Sequence, residues 1–150
     1  MYTIEEFDRA KTQVLKYVMY KKRTLQEVKN KFATVIEENL LEDVLQELQE
    51  IGYINDEQYI ERAVNEYRAL KNLSIKEIKY KLMAKGINAG EWESYYAKHK
   101  EDLQEYERKS AENIVLKKMS SMEEMEIKQY LIKKGYASEY IGEAMEKIEE

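Results

Sequence analysis

Apolar residues recur every three or four positions along nearly the whole chain, which is the spacing of helices that pack one face against a core. The inward positions predicted for the first three helices are Phe7, Ala10, Val14, Tyr17, Val18, Leu25, Val28, Phe32, Leu41, Val44, Leu45 and Leu48. Thr24 and Glu27 have the spacing of a capping box at the start of the second helix. Gly52 is predicted to end the third helix, because glycine readily adopts the left-handed backbone that closes helices.

The same succession of three helices is predicted twice more after Gly52. The inward positions of these further helices are Tyr59, Ile60, Ala63, Val64, Tyr67, Ile75, Ile78, Leu82, Met83, Trp92, Tyr95, Tyr96, Leu103, Tyr106, Ala111, Ile114, Val115, Met122, Ile127, Leu131, Ile132, Ile141, Ala144, Met145 and Ile148. Val28, Ile78 and Ile127 stand at one equivalent position, with steps of 50 and then 49 residues between them. A repeat of this length predicts a tandem array in which neighbouring units share buried surface.

These patterns predict an all-α protein made of three tandem three-helix repeats, at residues 1–53, 54–100 and 101–150. The nine helices are expected to form an elongated array, and the pattern within each repeat leaves its curvature open. A polar stretch at 99–101, in which His99 is expected to be exposed, is predicted to link the second and third repeats.

The stretch 52–59 is predicted to be the joint between the first and second repeats. Gly52 ends one helix, Asp56 is expected to cap the next, and Tyr53 and Tyr59 are expected to insert between the repeats. Related stop signals end the middle helices of the second and third repeats. The structural positions predicted from these signals are Gly52, Tyr53, Asp56, Tyr59, Gly86 and Gly135.

Composition supports the all-helical prediction and limits the classes of function. The 150 residues include no proline and no cysteine, and 37% of them are charged. The absence of cysteine excludes disulfides and thiolate chemistry, and no apolar run approaches the roughly 18 residues of a membrane span. Because the first residues also lack the features of a secretory signal, we expect a cytoplasmic monomer without membrane contact. The net charge of −5 argues against a protein that coats nucleic acid, but leaves local basic patches open.

Positive charge is concentrated on and beside the middle helix of each repeat, whereas the third helices are acidic. The residues of this basic row, predicted to contact a partner, are Lys21, Lys22, Arg23, Lys29, Arg68, Lys71, Lys76, Lys79, Lys81, Lys85, Lys128, Lys133 and Lys134. Lys29, Lys79 and Lys128 occupy one equivalent position. A solvated helix face is the alternative for any individual lysine, because its aliphatic stem covers apolar surface while its ammonium group stays in water.

Signals for catalysis are absent, and no catalytic residue, cofactor or metal site is predicted. The chain has no phosphate-binding glycine loop and no His-Glu-x-x-His motif, and its single histidine has no cysteine to join it at a metal. Most tyrosines fit inward faces, whereas Tyr20, Tyr80 and Tyr130 fall off the strict core positions, and contact with a partner is left open for these three. Core filling is predicted for Met119, Met122 and Met125.

Three stretches of the sequence resemble the RecX family of bacterial recombination regulators. Residues 52–59 are similar to the family's Gly-Tyr-Leu/Ile-x-Asp-x-x-Phe/Tyr signature, residues 74–87 resemble its second repeat, and residues 130–136 resemble its third. The entry to the first repeat, residues 22–28, resembles the family more loosely. This resemblance covers nearly the whole chain and implies tandem three-helix repeats that bind the RecA recombinase filament.

The first functional hypothesis is therefore a regulator that binds the RecA filament and changes its assembly or activity in recombination and DNA repair, with direct contact to DNA left open. The alternative is a DNA-binding regulator of the helix-turn-helix type. Against this alternative, a third helix that enters the major groove would bring its acidic residues to the phosphates. A general scaffold with a different partner is a third hypothesis.

Overall fold

In the computed structural model, which describes residues 1–149, the chain forms eight α-helices. Their bounds are α1 Ile4–Tyr20, α2 Leu25–Phe32, α3 Glu38–Ile51, α4 Asp56–Leu70, α5 Ile75–Ala84, α6 Ala89–Lys118, α7 Glu124–Lys134 and α8 Ser138–Glu149. Residues 1–149 contain no β-strand, so the predicted all-α class is confirmed. No helix in this described part of the chain has the combined length and apolar character that crossing a membrane requires.

Local capping signals define where several of these helices begin. Thr24 Oγ1 accepts a hydrogen bond from Glu27 N at 3.1 Å, and Glu27 Oε1 accepts one from Thr24 N at 2.9 Å, so the predicted capping box is present at α2. Ser74 and Glu77 make the same reciprocal pair at α5. These bonds satisfy N–H groups that have no partner inside the helix.

Two of the nine predicted helices, the third of the second repeat and the first of the third repeat, join directly in α6 without a separating loop, and a kink marks their junction. The backbone of α6 bends at His99, which has non-helical dihedral angles of φ −123° and ψ 18°. His99 is half-buried, and its ring centre lies 4.2 Å from that of Tyr95, so the expectation of an exposed linker residue is wrong. The stretch around it contains neither glycine nor proline, and nothing in the sequence ends the helix there.

The buried side chains form three separate hydrophobic clusters. The first joins α1, α2, α3 and Ile54; the second joins α4, α5 and the part of α6 up to Tyr106; and the third joins the rest of α6 with α7 and α8. The three clusters are compatible with tandem three-helix repeats. The boundaries at residues 1–53, 54–100 and 101–150 stay a prediction.

The exposed surface of the molecule is large for its size. It amounts to 9862 Å², whereas a compact monomer of this length exposes roughly 8,000 Å². The excess is expected for a molecule whose three cores are small and lie apart, and it supports the elongated shape inferred from the repeat pattern.

The predicted joint at 52–59 is built differently from the expectation. Gly52 does end α3 in the left-handed conformation, with φ 101°. Asn55, however, caps α4 by accepting a hydrogen bond from Gln58 N at 3.0 Å. Tyr53 does not insert between units, since it is 44% exposed; Ile54 is the residue that folds back, and its N–H donates to Leu48 O.

The middle helices α2, α5 and α7 meet end to end. Thr24 Oγ1 at the start of α2 donates a hydrogen bond to Lys85 O at the end of α5, at 2.6 Å. Ser74 Oγ at the start of α5 donates in the same way to Lys134 O at the end of α7, at 2.7 Å. Each carbonyl is followed by a glycine with positive φ, Gly86 or Gly135. The two junctions are therefore equivalent, and each helix start meets the carbonyl end of the next middle helix along the chain.

At each junction, a buried or half-buried carboxylate of the following unit accepts a hydrogen bond from the first N–H of the middle helix. Asp56 Oδ1 accepts a hydrogen bond from Leu25 N, the first residue of α2, at 2.9 Å. At the second junction Glu107 Oε1 accepts one from Ile75 N, the first residue of α5, at 2.7 Å. Asp56 therefore caps α2 rather than α4, because its side chain points back across the joint.

Asp56 makes the first junction sensitive to pH. Burial and the neighbouring Glu91 carboxyl raise the pKa of Asp56 to about 6, against the opposing effect of the Leu25 N–H. Because the folded protein holds this proton more tightly than the unfolded chain, the stabilisation is complete below about pH 4 and declines as the pH rises through about 6. Asp56→Asn is expected to remove this decline, which we place at about 1 kcal/mol after allowance for solvent screening.

The measurement for Asp56→Asn is urea unfolding of both proteins at pH values between 4 and 7.5. The asparagine keeps an oxygen that can accept from Leu25 N, so its effect is confined to the charge. Glu57→Gln, at the exposed neighbouring position, is the control and should leave the pH dependence unchanged. An identical pH dependence in the wild type and the Asp56 variant would contradict this account of the joint.

Candidate partner-binding surface

Much of the predicted basic row lies on α2, α5 and α7, which are arranged end to end. Lys29, Lys79 and Lys128 stand at the same position of their helices, and Lys29 and Lys128 are exposed while Lys79 is half-buried. The thirteen residues nevertheless do not form one uniform surface. The structure divides them into a cleft beside the first junction with the adjacent Arg23, an outer surface on α5 and α7, the exposed Lys29 on α2, and residues engaged elsewhere.

The cleft lies between the end of α1, the start of α2 and the outer side of α4. It has a volume of about 340 Å³, and Lys21, Lys22 and Lys85 of the basic row line it. Arg62 of α4 lines it as well. Arg62 lies outside the predicted basic row, which followed the middle helices. It stands one helical turn after Tyr59, which also lines the cleft, and this spacing was the available signal.

Arg23 lies next to this cleft but is held by contacts of its own. Its guanidinium carbon is 4.3 Å from the centre of the Tyr17 ring, which is within the range of a cation–π interaction. Its Nε is buried and has no hydrogen-bond partner among the described residues. Arg23 therefore contributes positive charge at the cleft wall, while its orientation is set by α1.

The outer surface of α5 and α7 contains five residues of the basic row. None of them forms a salt bridge within residues 1–149. They are Lys76, Lys79 and Lys81 on α5, with Lys128 and Lys133 on α7. The nearby Glu77 does not neutralise them, since it accepts from Ser74 N and its other oxygen lies 3.3 Å from Lys134 Nζ.

Three residues of the basic row lie outside both surfaces and make contacts within the molecule. Lys134 is paired with Glu77 across the second junction, where both side chains are largely buried. Arg68 is half-buried, with its guanidinium carbon 6.0 Å from the Tyr106 ring centre. Lys71 lies at the end of α4, where its carbonyl accepts from Ser110 Oγ at 3.0 Å. These three positions have structural contacts that the sequence pattern did not reveal.

The acidic third helices remain oriented to solvent, which bears on the helix-turn-helix alternative. Glu38, Glu42 and Glu50 of α3 are exposed, and Glu47 is paired with Lys11 of α1 at 2.8 Å. A duplex brought against α3 would meet these carboxylates with its phosphates. The charge of this helix therefore disfavours groove binding by α3.

The methionines near α7 differ from their expectation. Met122 is partly buried against the third cluster, but Met119 and Met125 are 46% and 63% exposed. Core filling is therefore wrong for these two. Tyr20 and Tyr80 are 86% and 59% exposed, whereas Tyr130, grouped with them in the sequence analysis, is half-buried against the third cluster.

No protein-family model matches the chain. It is, however, 30% identical over 139 residues to the regulatory protein RecX of Staphylococcus carnosus strain TM300, an alignment that covers 90% of this chain. The chain belongs to the RecX family. It spans about half the length of this curated relative, 52%. The resemblance stated from residues 52–59, 74–87 and 130–136 is thereby confirmed at the level of the family.

Solved RecX structures have the same fold as this chain. A crystal structure of RecX from Lactobacillus salivarius superposes with a TM-score of 0.80 at 23% identity, covering 98% of this chain and 99% of that one. A second crystal structure, of a regulatory protein RecX, gives a TM-score of 0.71 at 22% identity, covering 94% of this chain and 73% of that one. At these identities the likeness concerns the fold. The all-helical architecture is thus shared with the RecX family along nearly the whole chain.

Proposed function

We propose that this chain is a regulatory protein that binds the RecA recombinase filament and modulates its assembly and activity in homologous recombination and DNA repair. The observation that carries the proposal is the outer surface of α5 and α7, where five lysines lie without ion pairs within residues 1–149. Membership of the RecX family supplies the kind of partner. The protein acts by binding and catalyses no reaction of its own.

A filament suits a surface that is spread over two helices. Its protomers repeat along one axis, so neighbouring sites on this chain can engage successive protomers at the same time. Several weak contacts then add to a useful affinity, although a single exposed lysine contributes little. The proposal places the protein in the cytoplasm as a monomer, and places the tandem repeats of 1–53, 54–100 and 101–150 along the filament.

The test of this function is the DNA-dependent ATP hydrolysis and strand exchange of a RecA recombinase, with this protein titrated in. A saturable change in either rate is expected. Direct binding to DNA is measured in parallel without recombinase, because a helix-turn-helix regulator would bind duplex with an affinity that falls steeply with salt. Unchanged recombinase rates at saturating protein would contradict the proposal.

The paired substitution Lys79→Glu with Lys128→Glu is expected to weaken binding to the filament about tenfold or more at low salt. Two charge reversals on one surface change its attraction for an acidic partner by about 1–2 kcal/mol, and the difference should shrink as salt is added. Helical content measured by circular dichroism should remain unchanged. The control is Lys16→Glu with Lys117→Glu, which makes the same change in net charge at exposed positions outside the basic row; equal weakening by both pairs would remove the basic row from the account.

A further inference from the structure

Large apolar side chains are exposed on the outer side of α5 and α7. Tyr80 and Met83 of α5 are 59% and 40% exposed, and Met125 and Ile132 of α7 are 63% and 60% exposed. The inward positions predicted for Met83 and Ile132 are therefore wrong. Their spacings of three and seven residues place each pair on one side of its helix, opposite the buried residues. We call these four residues the outer stripe. Its side chains contribute nothing to the three clusters, so the cores do not explain their apolar character.

The second junction joins end to end the two helices that carry the halves of the outer stripe. Ser74 Oγ and Lys134 O join the end of α7 to the start of α5. The stem of Lys76 crosses this junction, because its Cδ lies 3.0 Å from the position that a Cβ on Gly135 would occupy. Ile132 precedes Gly135 by one turn of helix, and Tyr80 follows Lys76 by one turn. The aliphatic stem of Lys76 therefore lies at the junction between the helices that carry the two apolar pairs.

Lysines lie on the same face, and the exposed Glu124 and Glu126 flank Met125 in the first turn of α7. Lys76, Lys79, Lys81, Lys128 and Lys133 lie along α5 and α7 beside the outer stripe, and none is in a salt bridge in the described part of the chain. On and just after α2 the positions equivalent to the stripe are Gln26, Asn30 and Ala33, so large apolar side chains occupy these positions only on α5 and α7. The combination is therefore a specific feature of one end of the middle-helix series.

We propose that the outer stripe is the docking surface for an acidic amphipathic segment of a protein partner, with apolar residues along one side and Asp or Glu beside them. Such a segment covers the four apolar side chains and pairs with the lysines at the rim, which is the arrangement of a protein interface. A nucleic acid would satisfy the lysines and leave the apolar residues uncovered. The inference rests on the proposed function only for the identity of the partner, which would be a recombinase protomer.

The first measurement uses a defined probe and does not depend on the recombinase. Binding of the full chain is followed by fluorescence anisotropy with a labelled amphipathic helical peptide of leucine and glutamate, with polyglutamate of the same length, and with a single-stranded oligonucleotide. The leucine–glutamate peptide should bind most tightly. Tyr80→Ala with Ile132→Ala should weaken it about tenfold, as expected for removal of central apolar contacts.

Leu70→Ala with Ile4→Ala is the matched control, because these residues are 61% and 81% exposed and lie outside the outer stripe. It should leave peptide binding unchanged. The lysine pair Lys79→Glu with Lys128→Glu should reduce the salt dependence, whereas the apolar pair should lower affinity at every salt concentration. Equal binding of peptide and polyglutamate, tighter binding of the oligonucleotide, or equal losses in both apolar pairs would overturn the inference.

The same variants are then measured with the RecA filament. If the wild type and the Tyr80→Ala with Ile132→Ala variant bind the filament equally well, the outer stripe is not the docking surface, and the proposed function is unaffected. If the wild type binds the peptide through the stripe but leaves the ATP hydrolysis and strand exchange of the recombinase unchanged, only the proposed function is contradicted. Sedimentation of the chain by itself tests a second copy as the occupant; a dimer that Tyr80→Ala dissociates would overturn the assignment to a different partner.

Discussion

Gly86→Ala is expected to lower the free energy of unfolding by about 3 kcal/mol, while Gly52→Ala lowers it by about 1 kcal/mol. Both glycines have nearly the same left-handed backbone, with φ of 99° and 101°. A Cβ on Gly86 would lie 2.6 Å from Gln26 Cβ and 3.0 Å from Thr24 Oγ1, whereas a Cβ on Gly52 meets nothing within 4 Å. Gly86→Ala therefore adds a clash at the first junction to the conformational strain that both variants share.

Urea unfolding followed by circular dichroism measures this difference, and the Gly52 variant serves as the control for backbone strain. The larger loss at Gly86 should include weakening of the hydrogen bond from Thr24 Oγ1 to Lys85 O, because the clash pushes α2 and α5 apart. Equal losses in the two variants would mean that the close approach at the first junction does not contribute to stability.

Glu107→Ala is expected to lower the free energy of unfolding by about 3–4 kcal/mol. Glu107 is only 4% exposed, and its two carboxylate oxygens accept hydrogen bonds from two helix starts. One comes from Ile75 N at 2.7 Å and the other from Ala137 N, before α8, at 3.3 Å. Removing the carboxylate leaves both N–H groups without a partner at a place largely closed to water, and it leaves a void.

Glu107→Gln separates the hydrogen bonds from the rest of the side chain. Its amide has one oxygen and one NH₂ group, so it can accept from one N–H and opposes the other; a loss of about 1–2 kcal/mol is expected. Glu105→Ala, two residues earlier at an exposed position, should change stability by no more than about 0.5 kcal/mol. A Glu107→Ala loss as small as that of Glu105→Ala would show that the carboxylate does not hold the second junction together.

Gly86 and Glu107 lie at the two junctions through which the units are joined. Each junction uses a hydroxyl at the start of one middle helix, a carbonyl at the end of the next, and a carboxylate from the following unit. Such bonds set the relative position of helices more narrowly than apolar contacts alone, because hydrogen bonds are directional. The lysines and the outer stripe of α5 and α7 are consequently held in one arrangement, which a partner that contacts both helices would require.

Sequence reasoning located most helix ends, because their signals are local. Thr24 with Glu27 and Ser74 each mark a start within four residues of the positions they cap, and Gly52 marks an end in the same way. Around His99, where no glycine or proline is present, the repeat pattern predicted a boundary between two helices, and the backbone is kinked there without a separating loop.

The candidate surface was predicted less completely than the fold. Charge on the middle helices identified Lys79 and Lys128, but it also included Lys134, which is paired with Glu77 inside the second junction. Arg62 of α4 was missed, since the lysines that line the cleft with it, Lys21, Lys22 and Lys85, lie far from it along the chain. Exposure of Met125 could not be read from its spacing, because a methionine near a helix start fits either a core or a surface position.

The sequence by itself determined that this protein is all-helical, where most of its helices begin and end, and that it resembles the RecX family, because these properties depend on periodicity and on short motifs. Only the tertiary structure decided how the middle helices meet, which lysines stay without ion pairs and which apolar residues stay exposed. The physical reason is distance along the chain. The hydroxyl of Thr24 bonds a carbonyl 61 residues away and that of Ser74 one 60 residues away, and no local pattern encodes such a pairing.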